Sequence, residues 1–359
     1  MKKIVLIFVL TAFAYTVFVH AKSSDPIDFW KSIPRGANMT SYNPIEDFNS
    51  YKNLGGKLIR FGATGSPADF TFLIKGSGAN EEFDLSKSNL DRIATLFQNI
   101  EQRGLFGIVT LSDIPGRRWR FRKRDCRIWA SAKFQDQFVG VWKTLAQALR
   151  NSKNIVGYDL MNEPYLPHGK DCKDIKATPQ DLRSLYQRTI GAIRKIDITT
   201  PIILESPGMA SRDALDVLPI IADERVIYSF HYYEPYAYYS AAENQGKLSY
   251  PGTIPLDTGL VKWDIKQHRQ MLQTVVDWQK KNSLPSFRIY VGEFGMWRKA
   301  KGADSYLKDL TLIFAEHNWP WTYYSFRENE WDNTDLEKVG INPVRTETDL
   351  FRVIQEQFQ

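Results

Sequence analysis

The chain is poor in the residues that build metal and redox centres. Its 359 residues hold two cysteines, Cys126 and Cys172, and five histidines, and no group of them has metal-ligand spacing. No metal and no cofactor is therefore expected. A glycine-rich phosphate loop is also missing. Arg35-Gly36-Ala37-Asn38, at the end of the first candidate strand, lacks the GxGxxG spacing, which argues against a doubly wound nucleotide-binding sheet. No Gly/Ser-rich or Pro-rich linker, repeat or low-complexity tract divides the chain, and a single domain over 22–359 is expected. Long apolar runs are absent too, with one exception. Residues 4–19 form a run of 16 residues behind Lys2 and Lys3 and ahead of Val19-His20-Ala21. That is short of the roughly 20 residues that span a bilayer and has the layout of a signal peptide, residues 1–21. The mature protein is expected to be secreted or periplasmic, without stable membrane insertion, and monomeric. In such an oxidising compartment Cys126 and Cys172 can pair.

What the chain does have is alternation. Short apolar stretches at 33–38, 57–61, 107–111, 155–161, 202–205, 226–231, 289–292 and 321–325 read as eight strands. Apolar residues at 90, 93, 96, 97 and 100 make the i, i+3, i+4 stripe of a helix, and 136–149, 182–196, 262–281, 304–316 and 348–358 repeat the pattern. Strands alternating with helices build a parallel sheet from βα units. Eight such units fit an α/β chain folded as a single (β/α)8 TIM barrel, which takes about 250 residues or more.

Two glutamates stand out against this frame. Glu163 ends the stretch Tyr158-Asp159-Leu160-Met161-Asn162-Glu163, and Glu293 sits in Tyr290-Val291-Gly292-Glu293-Phe294. Each follows a short apolar strand, and in a parallel barrel the C-terminal strand ends form the catalytic face. A helix cap explains one such glutamate but explains two poorly. Two carboxylates meeting on that face are the equipment of glycoside hydrolysis, where one donates a proton to the leaving oxygen and the other attacks the anomeric carbon or activates water. Strand ends also supply Asn38, Arg60, Ser112, Asn162, His231, Tyr233 and Tyr324. Arg60 is expected to hold a carboxylate ionised by lowering its pKa, with Tyr233 donating to the same group. An aromatic content of 13% suits a protein that stacks rings on sugars, although aromatics also fill cores.

These motifs resemble glycoside hydrolase family 5, the cellulase-like retaining glycosidases, from Arg35-Gly36-Ala37-Asn38 to Trp331. The resemblance implies that Glu163 in Asn162-Glu163-Pro164 is the acid/base and that Asn162 binds the sugar 2-hydroxyl. It makes Glu293 in Val291-Gly292-Glu293-Phe294-Gly295 the nucleophile. Arg60 in Leu58-Ile59-Arg60-Phe61 matches the strand-two arginine, and His231-Tyr232-Tyr233 matches the His-x-Tyr element after strand six. Two positions depart from the family. Ser112 stands where many members carry a sugar-contacting histidine, and Tyr324 where a tryptophan often forms the floor under the reactive sugar. Trp297, Trp331 and Trp119 are candidates for outer sugar subsites, and His168 and Asp171 lie just past Glu163. The expected activity is that of a secreted retaining endo-β-glycosidase on a β-glucan-type polysaccharide, endo-β-1,4-glucanase first. A β-mannanase, a β-1,3-glucanase and a hydrolase of an anionic exopolysaccharide are the alternatives, with a non-catalytic glycan-binding barrel as the alternative of another class.

One tract is unusual for its charge. Residues 117–124, Arg-Arg-Trp-Arg-Phe-Arg-Lys-Arg, follow the third strand, while the whole chain carries only +6, two of it from Lys2 and Lys3. The run reads either as a solvated loop or as an attractor of an anionic polysaccharide. A nucleic-acid partner is not expected, since it would leave the paired glutamates without a purpose. Cys126 closes this loop and Cys172 lies in the loop after the fourth strand, so neighbouring loops bring them within bridging reach. If the run lines a subsite, kcat/KM on an acidic β-glycan should fall as the Debye length shrinks from about 10 Å at 0.1 M salt to 3 Å at 1 M. A neutral oligosaccharide should barely respond, and replacing Arg118, Arg120 and Arg122 by Ala should erase the difference through KM. Equal salt responses in both proteins would assign the run to solvation.

Overall fold

The computed structural model describes residues 25–41, 43–62, 74–75, 82–83, 87–112, 114–117, 119–120, 123–167, 172–327, 334–339 and 345–359. Of these, 74–75, 82–83, 87–89, 119–120, 123–124 and 338–339 are described by backbone alone. The expected signal peptide lies outside them. Eight parallel strands close a barrel: β1 (Arg35–Met39), β2 (Leu58–Phe61), β3 (Phe106–Thr110), β4 (Ile155–Asp159), β5 (Ile202–Glu205), β6 (Val226–Tyr232), β7 (Ile289–Phe294) and β8 (Trp321–Tyr323). They neighbour one another in sequence order, and β8 returns to pair with β1 through Arg35–Trp321 and Gly36–Thr322. The eight-stranded (β/α)8 barrel is therefore as expected.

The helices match the apolar stripes at α3 (Lys87–Glu101), α4 (Ala132–Leu149), α5 (Pro179–Arg194), α6 (Ile265–Lys281), α7 (Ala303–Glu316) and α8 (Asp349–Phe358). Helix α6 begins at Ile265, three residues later than the stripe suggests, because Asp264 caps it by accepting from the N–H groups of Lys266 and Gln267. Helices α1 (Pro26–Lys31) and α2 (Ile45–Leu54) were not expected. The second buries only Phe48, Tyr51 and Leu54 beside Asp47, a stripe too narrow to stand out. An antiparallel hairpin, Gly252–Leu256 with Gly259–Trp263, precedes α6. No described helix is long and apolar enough to cross a membrane.

Period-two alternation explains where the site lies. In β2, Ile59 and Phe61 pack outward into the main core with the helices, while Leu58 joins Ile108, Ile203, Ile227 and Tyr290 in a separate apolar cluster inside the barrel. Helix α1 closes that end. Trp30 is fully buried in the inner cluster, stands edge-on to Tyr290 and donates its indole N–H to the Val156 carbonyl at 2.7 Å. Strand β4 contributes Gly157, where a Cβ would come within 2.8 Å of Ile203 and 3.1 Å of Ile108, so the inner layer has no room for a side chain there. Two residues further along β2, β3, β4, β5 and β6 the same inner face turns polar, with Arg60, Thr110, Asp159, Glu205 and Ser229 all fully buried. The barrel thus has an apolar floor and a charged upper layer. Trp30→Ala should cost about 3–5 kcal/mol, read from the denaturant midpoint, and leave KM for any substrate unchanged. An unmoved midpoint would show that α1 is not part of the folded barrel.

Candidate active site

Arg60 organises the upper layer. Its guanidinium has five N–H donors, and the structure shows five hydrogen bonds. Nε donates to Asp159 Oδ2 at 2.8 Å. Nη1 reaches Asn38 Oδ1 at 3.0 Å and Glu293 Oε1 at 2.8 Å. Nη2 reaches Asn162 Oδ1 at 2.7 Å and Glu205 Oε1 at 2.8 Å. Asn38 is fixed in turn, its amide donating to the Gly292 carbonyl at 3.1 Å. Arg60 therefore touches residues from or just beyond β1, β4, β5 and β7. Glu293 arrives through a bulge, since the β6–β7 register shifts after Phe230 and sets Glu293 directly beside His231. Tyr233 donates to Glu293 Oε2 at 2.9 Å, as expected.

Glu163 lies beyond the end of β4 with a left-handed backbone, φ 50°. For a non-glycine residue this costs about 1–3 kcal/mol and persists only where the surroundings enforce it. Charged groups enforce it on both sides. The Glu163 N–H donates to Glu205 Oε2 at 2.6 Å, and its carbonyl accepts from Arg117 Nη2 at 2.5 Å. The first residue of the basic run thus holds backbone, its Nη1 also reaching the Ser112 carbonyl at 3.3 Å.

His231 stands among the carboxylates. Nδ1 is 3.1 Å from Glu163 Oε1 and 3.6 Å from Glu293 Oε2, and Nε2 is 3.2 Å from Glu205 Oε1. Burial pushes the ring's pKa down, but Glu205, Glu293 and Glu163 outweigh it and hold His231 well above the ordinary histidine range. Asp159 is pushed well up by burial and by neighbouring Glu205, against the pull of Arg60. Burial opposes ionisation of Glu205, yet His231 and Arg60 win and hold it below the ordinary carboxylate range. At Glu293 the balance tips the other way. Burial raises its pKa against the pull of His231 and Arg60, so the expectation that Arg60 would lower it holds for the pairwise attraction and fails for the net direction. Burial and Glu293 also keep Tyr233 a neutral donor.

Glu163, His231 and Glu293 each bring one ligand atom within 4.8 Å of the others, the sole such group among the described residues. A metal ion does not fit this set. Glu293 is already neutralised by Arg60, and carboxylates face both nitrogens of His231, which leaves no lone pair to offer.

The other expected residues divide. Asn162 joins the site through Arg60. Tyr324 is buried near Tyr233. Ser112 gives its hydroxyl proton to the Gly62 carbonyl. Trp297 is half-buried against the main core, and its indole N–H has no partner among the described residues. Cys126 and Cys172 are paired, with S–S 2.07 Å and Cα atoms 6.1 Å apart. His168, Asp171, Trp331, Arg118 and Arg122, and the side chains of Trp119 and Arg120, lie outside the described residues. Sequence reasoning missed Asp159, Glu205 and the role of Arg117. The signal for Glu205 was present, because Ile202-Ile203-Leu204-Glu205 has the apolar-strand-then-glutamate frame that singled out Glu163 and Glu293.

Residues 30–330 match the sequence model of the cellulase family, glycosyl hydrolase family 5. The chain belongs to this family. It is a glycoside hydrolase. Among curated relatives, cellodextrinase A of Ruminococcus flavefaciens is 22% identical over 249 residues, covering 66% of this chain and 68% of that protein. Endoglucanase C of Acetivibrio thermocellus is 21% identical over 253 residues, covering 64% and 69%. The solved structure of endoglucanase Cel5A from Thermotoga maritima superimposes with a TM-score of 0.70 at 18% identity, over 92% of this chain and 100% of that one. At that identity the likeness speaks for the fold.

In this family 5 hydrolase Arg60 neutralises carboxylates that would otherwise be buried alone. Arg60→Met should therefore cost about 3–5 kcal/mol at neutral pH. The deficit should shrink as pH falls and the orphaned carboxylates take up protons. Urea unfolding at pH 7 and pH 4 measures both. A deficit that does not change with pH would mean that lost packing, not charge, sets the cost.

Proposed function

We propose that the protein is a secreted endo-β-glycosidase that cleaves a β-glucan, β-1,4-linked first, by double displacement with retention. The observation that carries this is the approach of the Glu163 and Glu293 oxygens to within 4.8 Å. Retaining enzymes hold their carboxyl groups about 5–5.5 Å apart, whereas inverting enzymes leave about 6.5–9.5 Å for a water. The β-glucan assignment draws on the relatives named cellodextrinase and endoglucanase. Secretion draws on the leader-like residues 1–21 and on the paired cysteines.

In this mechanism Glu293, ionised and oriented by Arg60 and Tyr233, attacks the anomeric carbon. Glu163 gives its proton to the departing glycosidic oxygen. The bond to the leaving sugar breaks and a glycosyl ester to Glu293 forms. Water then attacks that carbon, its proton passes to Glu163, and Glu293 leaves as the carboxylate. Asn162, its oxygen held by Arg60, presents its amide N–H groups to the sugar 2-hydroxyl. Tyr324 takes the place of the floor, with less stacking area than a tryptophan. Ser112, whose hydroxyl donates to the Gly62 carbonyl, takes the place of a sugar-contacting histidine. These two positions are where the substrate can differ from cellulose, towards mannan, β-1,3-glucan or a charged exopolysaccharide.

A panel of end-labelled polysaccharides with NMR of the fresh product tests the reading. The β-anomer should form first, and product of inverted configuration would overturn it. Binding without cleavage on every substrate would favour the glycan-binding alternative. Glu293→Ala should abolish turnover. Glu163→Ala should lower kcat by about 10²–10⁴-fold on poor leaving groups, with partial rescue by azide. Because burial raises Glu293, the acid limb of kcat/KM should fall off at a pH above the ordinary glutamate value of about 4.3, activity being lost as pH drops through that point.

A further inference from the structure

We propose that Glu205 is a positioning residue whose two oxygens serve different partners. Oε2 fixes the backbone that carries Glu163, and Oε1 keeps both nitrogens of His231 protonated between Glu163 and Glu293. The proposal rests on the retaining reading above.

Glu205 is the last residue of β5 and fully buried, so it acts through other residues and not on substrate. Three donors converge on its two oxygens: the Glu163 N–H on Oε2, and Arg60 Nη2 and His231 Nε2 on Oε1. Only a carboxylate accepts at both positions. An amide of the same shape would aim an NH2 group at one of these donors. The groups facing His231 are all carboxyl oxygens, Glu205 from β5 and Glu293 from β7 as carboxylates and Glu163 Oε1 from the loop after β4 as an acceptor, the acid's proton resting on its other oxygen. A neutral imidazole has one donor nitrogen and would set a lone pair against a carboxylate. The arrangement is satisfied when both ring nitrogens donate.

A fixed imidazolium in this position has a catalytic consequence. Before the first step the negative charge is on Glu293 and the proton on Glu163. After it, Glu293 is an uncharged ester and Glu163 is the carboxylate. The negative charge has crossed from one side of His231 Nδ1 to the other, from 3.6 Å to 3.1 Å. A cation between the two sites stabilises both states and keeps the crossing nearly level in energy. This works only while the ring does not hand its own proton to Glu163, and the Glu205 charge on the far nitrogen prevents that.

The test uses intact protein with 15N-labelled histidine, alongside Glu205→Gln. In the wild type the His231 ring, assigned by its loss in His231→Asn, should show two protonated nitrogens at pH 7 and above. In Glu205→Gln the ring should deprotonate about one to three pH units earlier. The basic limb of kcat should move to lower pH with it, and kcat should fall by about 10²-fold with KM within about twofold. A purely structural role would lower the unfolding midpoint and leave the pH profile in place. A neutral His231 ring in the wild type at pH 7, or coincident basic limbs, would overturn the proposal. If Glu205→Gln does not fold, the wild-type ring spectrum still decides. Failure of the retaining reading would appear separately, in the anomer of the product.

Discussion

The structure depends on satisfying one buried cation. Arg60 has no contact with solvent, and a guanidinium in that position is tolerated only when its charge and its donors are all met. The barrel meets them with five acceptors from four segments, Asn38, Asp159 with Asn162, Glu205 and Glu293. A lysine in the same place would offer a mobile point charge with three donors. The planar fork of arginine can address five acceptors whose positions are fixed by strands. Barrel closure and assembly of the site are for this reason one event, since the acceptors meet only when the strands that carry them are neighbours around the ring.

The same cluster settles its charge internally. Arg60 and, when protonated, His231 face the buried carboxyl groups of Glu205 and Glu293, and burial pushes Asp159 towards its neutral form. Little net charge is therefore left in the dry interior, where an unpaired ion would be costly. Exposure then separates the two carboxylates of the proposed reaction. The Glu163 side chain is 25% exposed and that of Glu293 is 7% exposed. A group that exchanges protons with leaving group and water gains from access, and one that forms a covalent bond to carbon gains from a fixed, dry setting.

Much of the architecture was legible because parallel barrel strands are buried on both faces and read as short continuous apolar runs. The runs at 202–205 and 226–231 place β5 and β6 within a residue. Helices with wide stripes, such as α3 and α4, were as clear. Helix α2 was not, because its three core residues sit among Asp47, Asn49 and Ser50. The stretch between β5 and β6 carries no wide stripe, and the chain there makes only a short turn and a 3-10 segment, Arg212–Val217. Arg117 belonged to a run whose composition suggested solvent or an anionic ligand, yet it holds the carbonyl of Glu163.

The sequence by itself determined the eight strands, the strand-end positions of Glu163 and Glu293, and the kind of chemistry two such carboxylates perform. These are local properties, carried by apolar runs and by residue type. Only the tertiary structure decided that Glu205, framed like the other two, lies fully buried in the inner layer with Arg60, while Glu163 extends beyond its strand and stays partly exposed. It also decided the direction of each titration, including the net rise at Glu293. A sequence specifies which groups can ionise. Whether they do depends on the water removed around them and on the charges that barrel closure brings within a few ångströms.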